Sequence, residues 1–363
     1  MRVLMSGGGT AGHIYPALTV AARLVAEGHE VTFVGTPDGL EARLVPEAGI
    51  PFVGVRAAGF DRGNPLTLVS SSVRILVSTV RARRLIAEVQ AEVVLGFGGY
   101  VSLPVGLAAA LRRVRLVLHE QNSVPGLANR VLSRWARAVG VTYEGSLRHL
   151  AHPERGVLTG NPIREAVLAA DRDRGRRAFG IAPDAVVLLV FGGSRGARHI
   201  NDALVALAPR LMAMPSLQVL HSAGRIEAAS VAERIAEALG DDASRYRVVD
   251  YIEAMGDAIA ASDLIVSRAG ATSIAEITAV GRAAILVPYP FATDDHQTLN
   301  ARAVAEEGGA VLIVDEDLDG ERFGDTIVEI AGDTGRRAAM AKASSALGRP
   351  DAAERVVALL RKG

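Results

Sequence analysis

The chain of 363 residues contains no cysteine. Disulfide bonds, thiolate nucleophiles and cysteine-ligated metal sites are therefore excluded, and the composition suits a reducing compartment. No apolar run reaches the roughly 18 residues that a bilayer-spanning helix needs, and no secretory signal opens the chain, so we expect a cytoplasmic protein. Aromatic residues make up only 4% of the chain. They form no stacking clusters, which argues against nucleic acid as a partner.

Positive charge is concentrated in the first part of the chain. Residues 1–150 contain 16 arginines, no lysine and 10 acidic residues, a net charge of +6, and the remaining residues contain 24 basic and 30 acidic residues, a net charge of −6. From Leu66 to Leu85, apolar residues alternate with arginines, and Arg112, Arg113 and Arg115 follow another apolar run. An ordinary surface helix with one buried face gives a similar pattern, but the positive charge of this half favours contact with an anionic membrane surface.

Short apolar segments that end in glycine-rich turns recur along the chain. The segments Arg2 to Met5, Val93 to Gly96 and Val186 to Phe191 each lead through two or more glycines into a helical pattern. A further helix is expected from Ala271 to Val280, and a strand from Ala283 to Val287. Strands that alternate with helices are typical of parallel sheets with both faces covered. We therefore predict an α/β protein with two doubly wound, Rossmann-like domains and a cleft at the carboxyl ends of their strands.

The chain length also favours two domains. Glycine and proline punctuate the segment Thr159–Arg164, which marks a boundary. We predict a first domain over residues 1–163 and a second over residues 164–344. The final segment, about residues 345–363, contains an amphipathic helix that we expect to pack back on the first domain.

The first glycine loop matches G-x-G-x-x-G through Gly7, Gly9 and Gly12, a pattern of dinucleotide-binding domains. The acidic residue that would bind the ribose at the end of the second strand is missing, so a tight strand-to-helix turn explains the glycines equally well. His13 follows at the helix N-terminus, where the helix dipole disfavours the charged form of the ring. A neutral imidazole suits a general base, and a histidine that only hydrogen-bonds the turn is an equal alternative.

The second half carries residues that suit a nucleotide. Residues 192–196, GGSRG, resemble an anion-binding nest of backbone N–H groups, although a plain strand-to-helix turn also explains them. Glu276 either completes a capping box with Ser273 or accepts hydrogen bonds from two ribose hydroxyls. Gln297 offers a donor and an acceptor to sugar hydroxyls, or is a solvated loop side chain. Residues 294–296, DDH, suit a helix N-cap better than a metal site, because consecutive residues of a helix do not face one another.

Several motifs occur together in one order. They are GGTAGH at 8–13 with Pro16-Ala17, GFGGYVS at 96–102, HEQN at 119–122, TGNPIR at 159–164, GGSRGA at 192–197, and the segments 267–276 and 295–301. This ordered set, which covers nearly the whole chain, resembles the MurG family, the peripheral membrane N-acetylglucosaminyltransferases of peptidoglycan synthesis in glycosyltransferase family 28.

The resemblance implies a GT-B fold and a specific reaction. In that reaction, N-acetylglucosamine (GlcNAc) moves from UDP-GlcNAc to the C4 hydroxyl of the N-acetylmuramic acid (MurNAc) in lipid I, the undecaprenyl-pyrophosphoryl-MurNAc-pentapeptide, and gives lipid II. The resemblance also implies a peripheral position at the cytoplasmic face of the cell membrane, with other cell-wall synthesis enzymes as candidate partners. No metal and no other cofactor is expected.

The resemblance assigns roles to individual residues. His13 is similar to the histidine proposed as the base, Glu276 to the ribose ligand, and Gln297 to the residue that contacts GlcNAc hydroxyls. Arg164 and Ser194 match residues at the diphosphate. The other matching positions are Thr10, Ala11, Gly12 and Asn122 for the donor sugar and the acceptor, Ile252 for a backbone contact with uracil, and Ala271, Thr272, Ser273, Ile274 and Ala275 beside the nucleotide.

Two residues depart from the family pattern. Ala11 stands where many members have glycine, which narrows the space near the first loop. Tyr251 stands where a phenylalanine can cap the uracil, and a tyrosine ring still stacks.

Other functions fit parts of the sequence. A nicotinamide-dependent oxidoreductase rests on the first glycine loop alone. A non-catalytic UDP-sugar-binding scaffold is a second alternative, against which the retained His13 and Gln297 argue. A related GT-B enzyme with another acceptor, or a UDP-GlcNAc epimerase, is the nearest alternative.

Overall fold

The computed structural model describes residues 1–55, 65–193 and 197–361, and from 65 to 72 it describes the backbone alone. The chain forms two compact units. The first unit contains Met1–Arg164 and the residues from Arg349 onward, and the second contains Glu165–Gly348. These limits lie one residue and four residues beyond the predicted domain boundaries.

The first unit is built on a seven-stranded parallel sheet. Its strands are β1 (Arg2–Ser6), β2 (Glu30–Gly35), β3 (Phe52–Gly54), β4 (Val93–Gly96), β5 (Arg115–Glu120), β6 (Ala138–Val141) and β7 (Gly156–Leu158). Its helices up to this point are α1 (Ala11–Ala26), α2 (Glu41–Glu47), α3 (Pro65–Glu88), α4 (Ser102–Arg112) and α5 (Leu127–Leu132). The strand order is β3-β2-β1-β4-β5-β6-β7.

Alternate residues of these strands supply two apolar layers, as the twofold period of a strand requires. Leu4 and Val94 pack under α3 and α4 on one face of the sheet. Val3 and Met5 pack against α1 on the other face. The sheet is therefore covered on both sides, which explains why its strands are apolar throughout.

The second unit repeats this architecture with a six-stranded parallel sheet. Its strands are β8 (Val186–Phe191), β9 (Leu217–Ser222), β10 (Tyr246–Val249), β11 (Leu264–Arg268), β12 (Ala283–Val287) and β13 (Ala310–Leu312). Its helices are α6 (Glu165–Leu168), α7 (Arg172–Phe179), α8 (Arg198–Met212), α9 (Ala228–Leu239), α10 (Met255–Ala261), α11 (Ala271–Val280), α12 (His296–Ala305), α13 (Glu321–Gly332) and α14 (Thr334–Leu347). The strand order is β10-β9-β8-β11-β12-β13.

The last helix, α15 (Ala352–Arg361), returns to the first unit. Val356 and Leu360 are fully buried in the apolar layer that α1 covers. Arg115 donates a hydrogen bond to the backbone oxygen of Leu360, and Arg23 of α1 forms an ion pair with Glu354 at 3.2 Å. Packing of an amphipathic face, with polar contacts at its rim, therefore holds this helix on the first sheet.

The strand orders bring the glycine-rich turns together within each unit. In the first sheet β1, β4 and β5 are neighbours, so the loops that follow them leave from one edge. In the second sheet β8, β11 and β12 are neighbours in the same way. Ligand sites of doubly wound sheets form at such carboxyl edges. No helix in the described ranges is long and apolar enough to cross a bilayer.

Candidate active site

His13 lies in the first turn of α1, directly after the first glycine loop. Its Nδ1 is 3.1 Å from the carbonyl oxygen of Gly8 and 3.1 Å from the hydroxyl of Thr10, the N-cap residue. Because a carbonyl oxygen only accepts hydrogen bonds, Nδ1 carries the proton when the ring is neutral. The lone pair of the neutral ring is then on Nε2, as a general base requires.

The loop after β4 packs against this histidine. Gly98 and Gly99 have left-handed backbone angles, with φ of +88° and +79°. A Cβ atom on Gly98 would lie 3.3 Å from Nε2 of His13, and one on Gly99 would lie 2.4 Å from the oxygen of Gly8. Glycine is therefore needed at both positions for the two loops to meet, and the Nε2 edge of His13 borders the second loop.

A buried histidine, His119, lies one residue before the end of β5. The Nε2 of His119 donates to the oxygen of Gly160 at 2.9 Å, and its Nδ1 accepts from the amide of Gln121 at 3.1 Å. Burial is the main cause that lowers the pKa of His119 to about 4, and the hydrogen bond to Gly160 acts in the opposite direction. His119 is thus a neutral ring whose two nitrogens are both used, so it serves to organise the loop.

Glu120 fixes the segment that carries Asn122. Its buried carboxylate accepts from the backbone N–H of Asn122 at 3.0 Å, from that of Gly126 at 3.1 Å, and from Nδ2 of Asn129 at 2.8 Å. Burial raises the pKa of Glu120, and these hydrogen bonds act in the opposite direction. The carboxylate therefore shapes the loop in which Asn122 lies.

Two buried amide oxygens beside the second glycine loop have no partner among the described residues: Oε1 of Gln121 and Oδ1 of Asn129. Gln121 donates to the oxygen of Phe97 at 3.1 Å, and Nδ2 of Asn129 would lie 3.5 Å from a Cβ atom on Gly98. Leaving a buried acceptor without a hydrogen bond costs free energy. Both oxygens therefore have an unused capacity to accept a hydrogen bond beside the second glycine loop.

The remaining predicted residues of the first unit surround the start of α1. Thr10 is the N-cap, and Ala11 and Gly12 begin the first helical turn. The Arg164 guanidinium lies 4.9 Å from the ring centroid of Tyr15 on the same helix, a cation–π contact. A positive side chain is thereby held beside α1.

In the second unit, α11 begins at Ala271 with Gly270 as its N-cap. Ser273 is therefore in the first turn and not at the N-cap, so the capping-box explanation of Glu276 is wrong. The S-x-x-E spacing lies inside the helix and does not mark its start. Glu276 itself is buried, at 4% exposure, in the second turn.

The ligand contacts predicted along α11 are of two kinds, backbone N–H groups and a side-chain hydroxyl. The side chains of Ala271, Ile274 and Ala275 are buried, and Ile274 belongs to the apolar layer under the sheet. Only the backbone of these residues is suited to bind a ligand, and the N–H groups of the first turn lack partners within the helix. The hydroxyl of Thr272 is buried without a partner in the described part of the chain.

Gln297 lies on α12 below the loop that follows β12. Its Oε1 accepts from the backbone N–H of Tyr289 at 2.9 Å, which leaves the NH₂ group to donate to a ligand. The Tyr289 ring packs edge-on against Phe291, whose side chain is 81% exposed. The backbone angles of Asp294 and Asp295 are left-handed, and Asp295 occupies the predicted N-cap position of α12. Its side chain makes no capping hydrogen bond, and its Oδ1 accepts instead from the hydroxyl of Thr298 at 2.6 Å.

Other predicted positions follow β8 and β10. Ser194 lies outside the described residues. Ile252 is buried in the layer under α10. The ring of Tyr251 carries the Arg225 guanidinium at 5.2 Å from its centroid, so one face of this ring already has a cationic neighbour.

Comparison with known proteins identifies the family. Residues 3–141 match the glycosyltransferase family 28 N-terminal domain, and residues 187–356 match the family 28 C-terminal domain. A protein of Desulfitobacterium hafniense named UDP-N-acetylglucosamine–N-acetylmuramyl-(pentapeptide) pyrophosphoryl-undecaprenol N-acetylglucosamine transferase is 39% identical over 360 residues, 98% of each chain. The protein of that name from Halothermothrix orenii is 40% identical over 99% of this chain and 98% of its own. The crystal structure of Acinetobacter baumannii MurG superimposes with a TM-score of 0.81 and 31% identity, over 100% of this chain and 99% of that one.

The chain belongs to the MurG family. The predicted α/β fold of two Rossmann-like domains and the assignment as a glycosyltransferase are thereby confirmed.

Sequence reasoning missed one polar cluster of this MurG-family chain. Arg268, the last residue of β11, donates to the oxygen of Pro288 at 3.0 Å and forms an ion pair with Asp315. His199 of α8 contacts the other oxygen of Asp315 at 2.8 Å, and this hydrogen bond raises the pKa of His199. The cluster joins the segments after β11, β12 and β13. No local sequence pattern indicates this cluster, because Arg268 and Asp315 are 47 residues apart.

Proposed function

We propose that this chain transfers GlcNAc from UDP-GlcNAc to the C4 hydroxyl of the MurNAc in lipid I and so forms lipid II. The relatives of 39–40% identity over the whole chain bear the name of this activity. The observation that carries the proposal is the His13 site, because the hydrogen bond from Nδ1 to Gly8 places the lone pair of the neutral ring on Nε2.

The proposed step is a single inverting displacement. The C4 oxygen of the acceptor forms a bond to the anomeric carbon of GlcNAc while the bond from that carbon to the diphosphate breaks. Nε2 of His13 takes the hydroxyl proton. The electron pair of the broken bond leaves with UDP, where Arg164 and the N-terminal amides of α11 stabilise the developing charge.

Binding of the donor is proposed for the second unit. Glu276 accepts hydrogen bonds from the ribose hydroxyls, the backbone of Ile252 contacts the uracil, and Ser194 contacts the diphosphate. Gln297 donates to GlcNAc hydroxyls through its NH₂ group, because its oxygen is held by Tyr289. In the first unit, Thr10, Ala11, Gly12 and Asn122 contact the sugars.

The first experiment measures UDP release from UDP-GlcNAc with and without a soluble lipid I analogue, in EDTA. Release that requires the analogue supports the transferase. Release without any acceptor points to hydrolysis or another acceptor, and binding without release points to a UDP-sugar-binding scaffold.

The role of His13 is tested by His13→Gln. Turnover should fall roughly 10²–10⁴-fold, the usual contribution of a general base, while the Kd for UDP-GlcNAc stays unchanged. His29→Gln is the control, because His29 is a half-buried histidine of the same unit that contacts the N-terminal amine instead of the glycine loop. An equal loss of affinity and turnover in His13→Gln would contradict the assignment.

The role of Glu276 is tested by Glu276→Ala, which should weaken UDP binding at least tenfold, since it removes the acceptor of the ribose hydroxyls. A variant that binds UDP normally but unfolds more easily would show that Glu276 is structural.

We further propose a peripheral position on the cytoplasmic face of an anionic membrane. The observation behind it is an exposed apolar stripe on α3: Val73, Leu76, Val77 and Val80 are 47–65% exposed and share one helix face by their spacing. Arginines flank the stripe, and Leu111 at the end of the neighbouring α4 is also 65% exposed. The predicted patch also includes Leu66 to Ser72, whose side chains lie outside the described part of the structure.

Sedimentation with phosphatidylglycerol vesicles tests this proposal with Leu76→Ser/Val77→Ser. Covering the exposed part of each side chain contributes about 1–2 kcal/mol, so the double variant should bind at least tenfold more weakly. The matched control is Val25→Ser, because Val25 is 51% exposed on α1 at the opposite face of the sheet. Equal binding by all three proteins would contradict the proposal. Other cell-wall synthesis enzymes remain proposed partners.

A further inference from the structure

A groove of about 400 Å³ opens on the first unit beside α5. It is separate from the glycine loops and from the residues proposed for catalysis. Its lining residues are Leu127, Arg130, Val131, Arg134, Trp135, His149, Leu150 and Ala151. The groove therefore combines an apolar floor with three basic side chains and no carboxylate.

The two arginines of this groove have no acidic partner among the residues that the structure describes. Neither Arg130 nor Arg134 forms an ion pair in the described part of the chain, and both are exposed. His149 is half-buried behind them. Burial lowers the pKa of His149, and the charges of Arg148 and Arg130 lower it further, with no opposing carboxylate. The potential in the groove is therefore positive and suits an anionic group.

The apolar part of the groove is unusually exposed. Trp135, the single tryptophan of the chain, is 47% exposed, and Leu127 and Val131 of α5 are 42% and 39% exposed. An indole that is half in contact with apolar groups and half exposed is typical of residues at a membrane–water interface.

The groove also lies in the helix layer that carries the α3 stripe. Leu132 of α5 packs so closely on α4 that a Cβ atom on Gly106 would lie 2.5 Å from it, and α4 in turn packs beside α3. All three helices contribute to the apolar layer on one face of the first sheet. This step rests on the membrane contact proposed above for α3. The phospholipids of that membrane lie next to the groove, and they are anionic and partly apolar.

We propose that this groove binds the headgroup of a single anionic phospholipid. The phosphate lies between the guanidinium groups of Arg130 and Arg134, and the glycerol and first methylene groups lie on Trp135, Leu127 and Val131. Arginine suits this role because its planar fork pairs with phosphate oxygens, while its stem covers apolar surface. The site adds a lipid contact that takes no part in the transfer of GlcNAc.

The single tryptophan makes the test specific. Trp135 lines the groove, and it is the source of the chain's intrinsic emission at wavelengths longer than those of tyrosine. The protein is titrated with dihexanoyl-phosphatidylglycerol below its micelle concentration, so that no membrane is present. The expected result is a saturable blue shift of Trp135 emission. Dihexanoyl-phosphatidylcholine and inorganic phosphate should give no saturable shift, because the first lacks net charge and the second lacks apolar groups.

Arg130→Gln/Arg134→Gln should raise the Kd for the short-chain lipid roughly 20-fold, as expected for two lost basic contacts. Arg43→Gln/Arg322→Gln removes the same charge at two exposed positions outside the groove and outside the α3 stripe, and it should keep the wild-type Kd. Equal shifts with both lipids, an equal response to inorganic phosphate, or no response would each overturn the proposal.

Parallel measurements separate this site from the proposed transferase function. Arg130→Gln/Arg134→Gln should release UDP at the wild-type rate with a soluble lipid I analogue. Loss of that activity would place the groove in the catalytic site and overturn the inference. A lipid response in a protein without transferase activity would instead uphold the groove and contradict the proposed function.

Discussion

The contact between Gly98 and His13 gives the sharpest prediction. Gly98→Ala places a residue with a Cβ atom at φ +88°, which costs about 1–2 kcal/mol of stability for a left-handed backbone. It also places a methyl group 3.3 Å from Nε2 of His13. A substrate hydroxyl must approach that nitrogen to about 2.6–3.2 Å. The methyl group takes up space beside the nitrogen, so we expect turnover to fall by about 100-fold or more.

Gly28→Ala separates the two effects of this substitution. Gly28 lies in the same unit with φ +79°, and nothing lies within 4 Å of its added Cβ atom. This variant therefore carries the same backbone cost without touching His13. Both variants should lose about 1–2 kcal/mol of unfolding free energy, and only Gly98→Ala should lose turnover.

Two measurements check this prediction. Urea unfolding is followed by the fluorescence of Trp135, which lies in the first unit together with both glycines. Turnover is followed as UDP release with a soluble lipid I analogue, and the Kd for UDP-GlcNAc is measured by calorimetry. Equal turnover in the two variants would refute the reasoning that Nε2 of His13 takes part in the step. A lower affinity for UDP-GlcNAc in Gly98→Ala, with normal turnover, would refute it as well.

Three further predictions concern buried polar groups. Burial lowers the pKa of His221 to about 4. Because the unfolded chain gains a proton at this residue near pH 6.5 and the folded chain does not, His221 alone should lower the unfolding free energy by about 2–3 kcal/mol between pH 7 and pH 4.5. In urea unfolding followed by circular dichroism, the pH dependence of His221→Gln should be smaller than that of the wild type by this amount. Glu120→Ala leaves the N–H groups of Asn122 and Gly126 without their acceptor and should cost about 2–4 kcal/mol, with Glu120→Gln costing less, by unfolding followed through Trp135. Asp315→Ala removes the carboxylate from the half-buried Arg268 and should cost about 2–3 kcal/mol, and Asp319→Ala, at the exposed end of the same cluster, should cost less than half of that.

The strand and helix limits near the glycine turns were well predicted from sequence. The helix Ala271–Val280 and the strands Val93–Gly96 and Ala283–Val287 have the predicted limits. Each is a continuous apolar or helix-forming run bounded by glycine or proline, so local chemistry decides where it ends. The final segment contains the predicted helix, α15 at Ala352–Arg361, which follows α14 after a short break beyond Leu347.

The functional contacts were not predictable, because they depend on the conformation of loops, which no helix or strand period describes. The proton position on His13 depends on how the carbonyl group of Gly8 is turned, and the two partners of Glu120 depend on the path of the loop to α5. Conversely, the S-x-x-E spacing gave a wrong explanation of Glu276. The S-x-x-E pattern forms a capping box only where its serine is the N-cap residue. In α11 the N-cap residue is Gly270, three residues before Ser273.

The first glycine loop shows why its fingerprint does not indicate a dinucleotide. A Cβ atom on Gly8 would lie 2.3 Å from the carboxylate of Glu41, which is fully buried behind the loop. One oxygen of Glu41 accepts from the N–H and the hydroxyl of Thr36, and the other has no partner within the described ranges. A pyrophosphate bound over Gly8 would lie next to this buried acidic side chain, and the close approach of two acidic groups is unfavourable in a region of low dielectric constant. The close packing on Glu41 and Gly99 involves Gly8, which lies between two fingerprint glycines. Of these, an added Cβ atom on Gly7 would lie 3.2 Å from Phe97, and Gly9 has a left-handed backbone with φ +87°. Local packing and backbone conformation therefore account for these glycines.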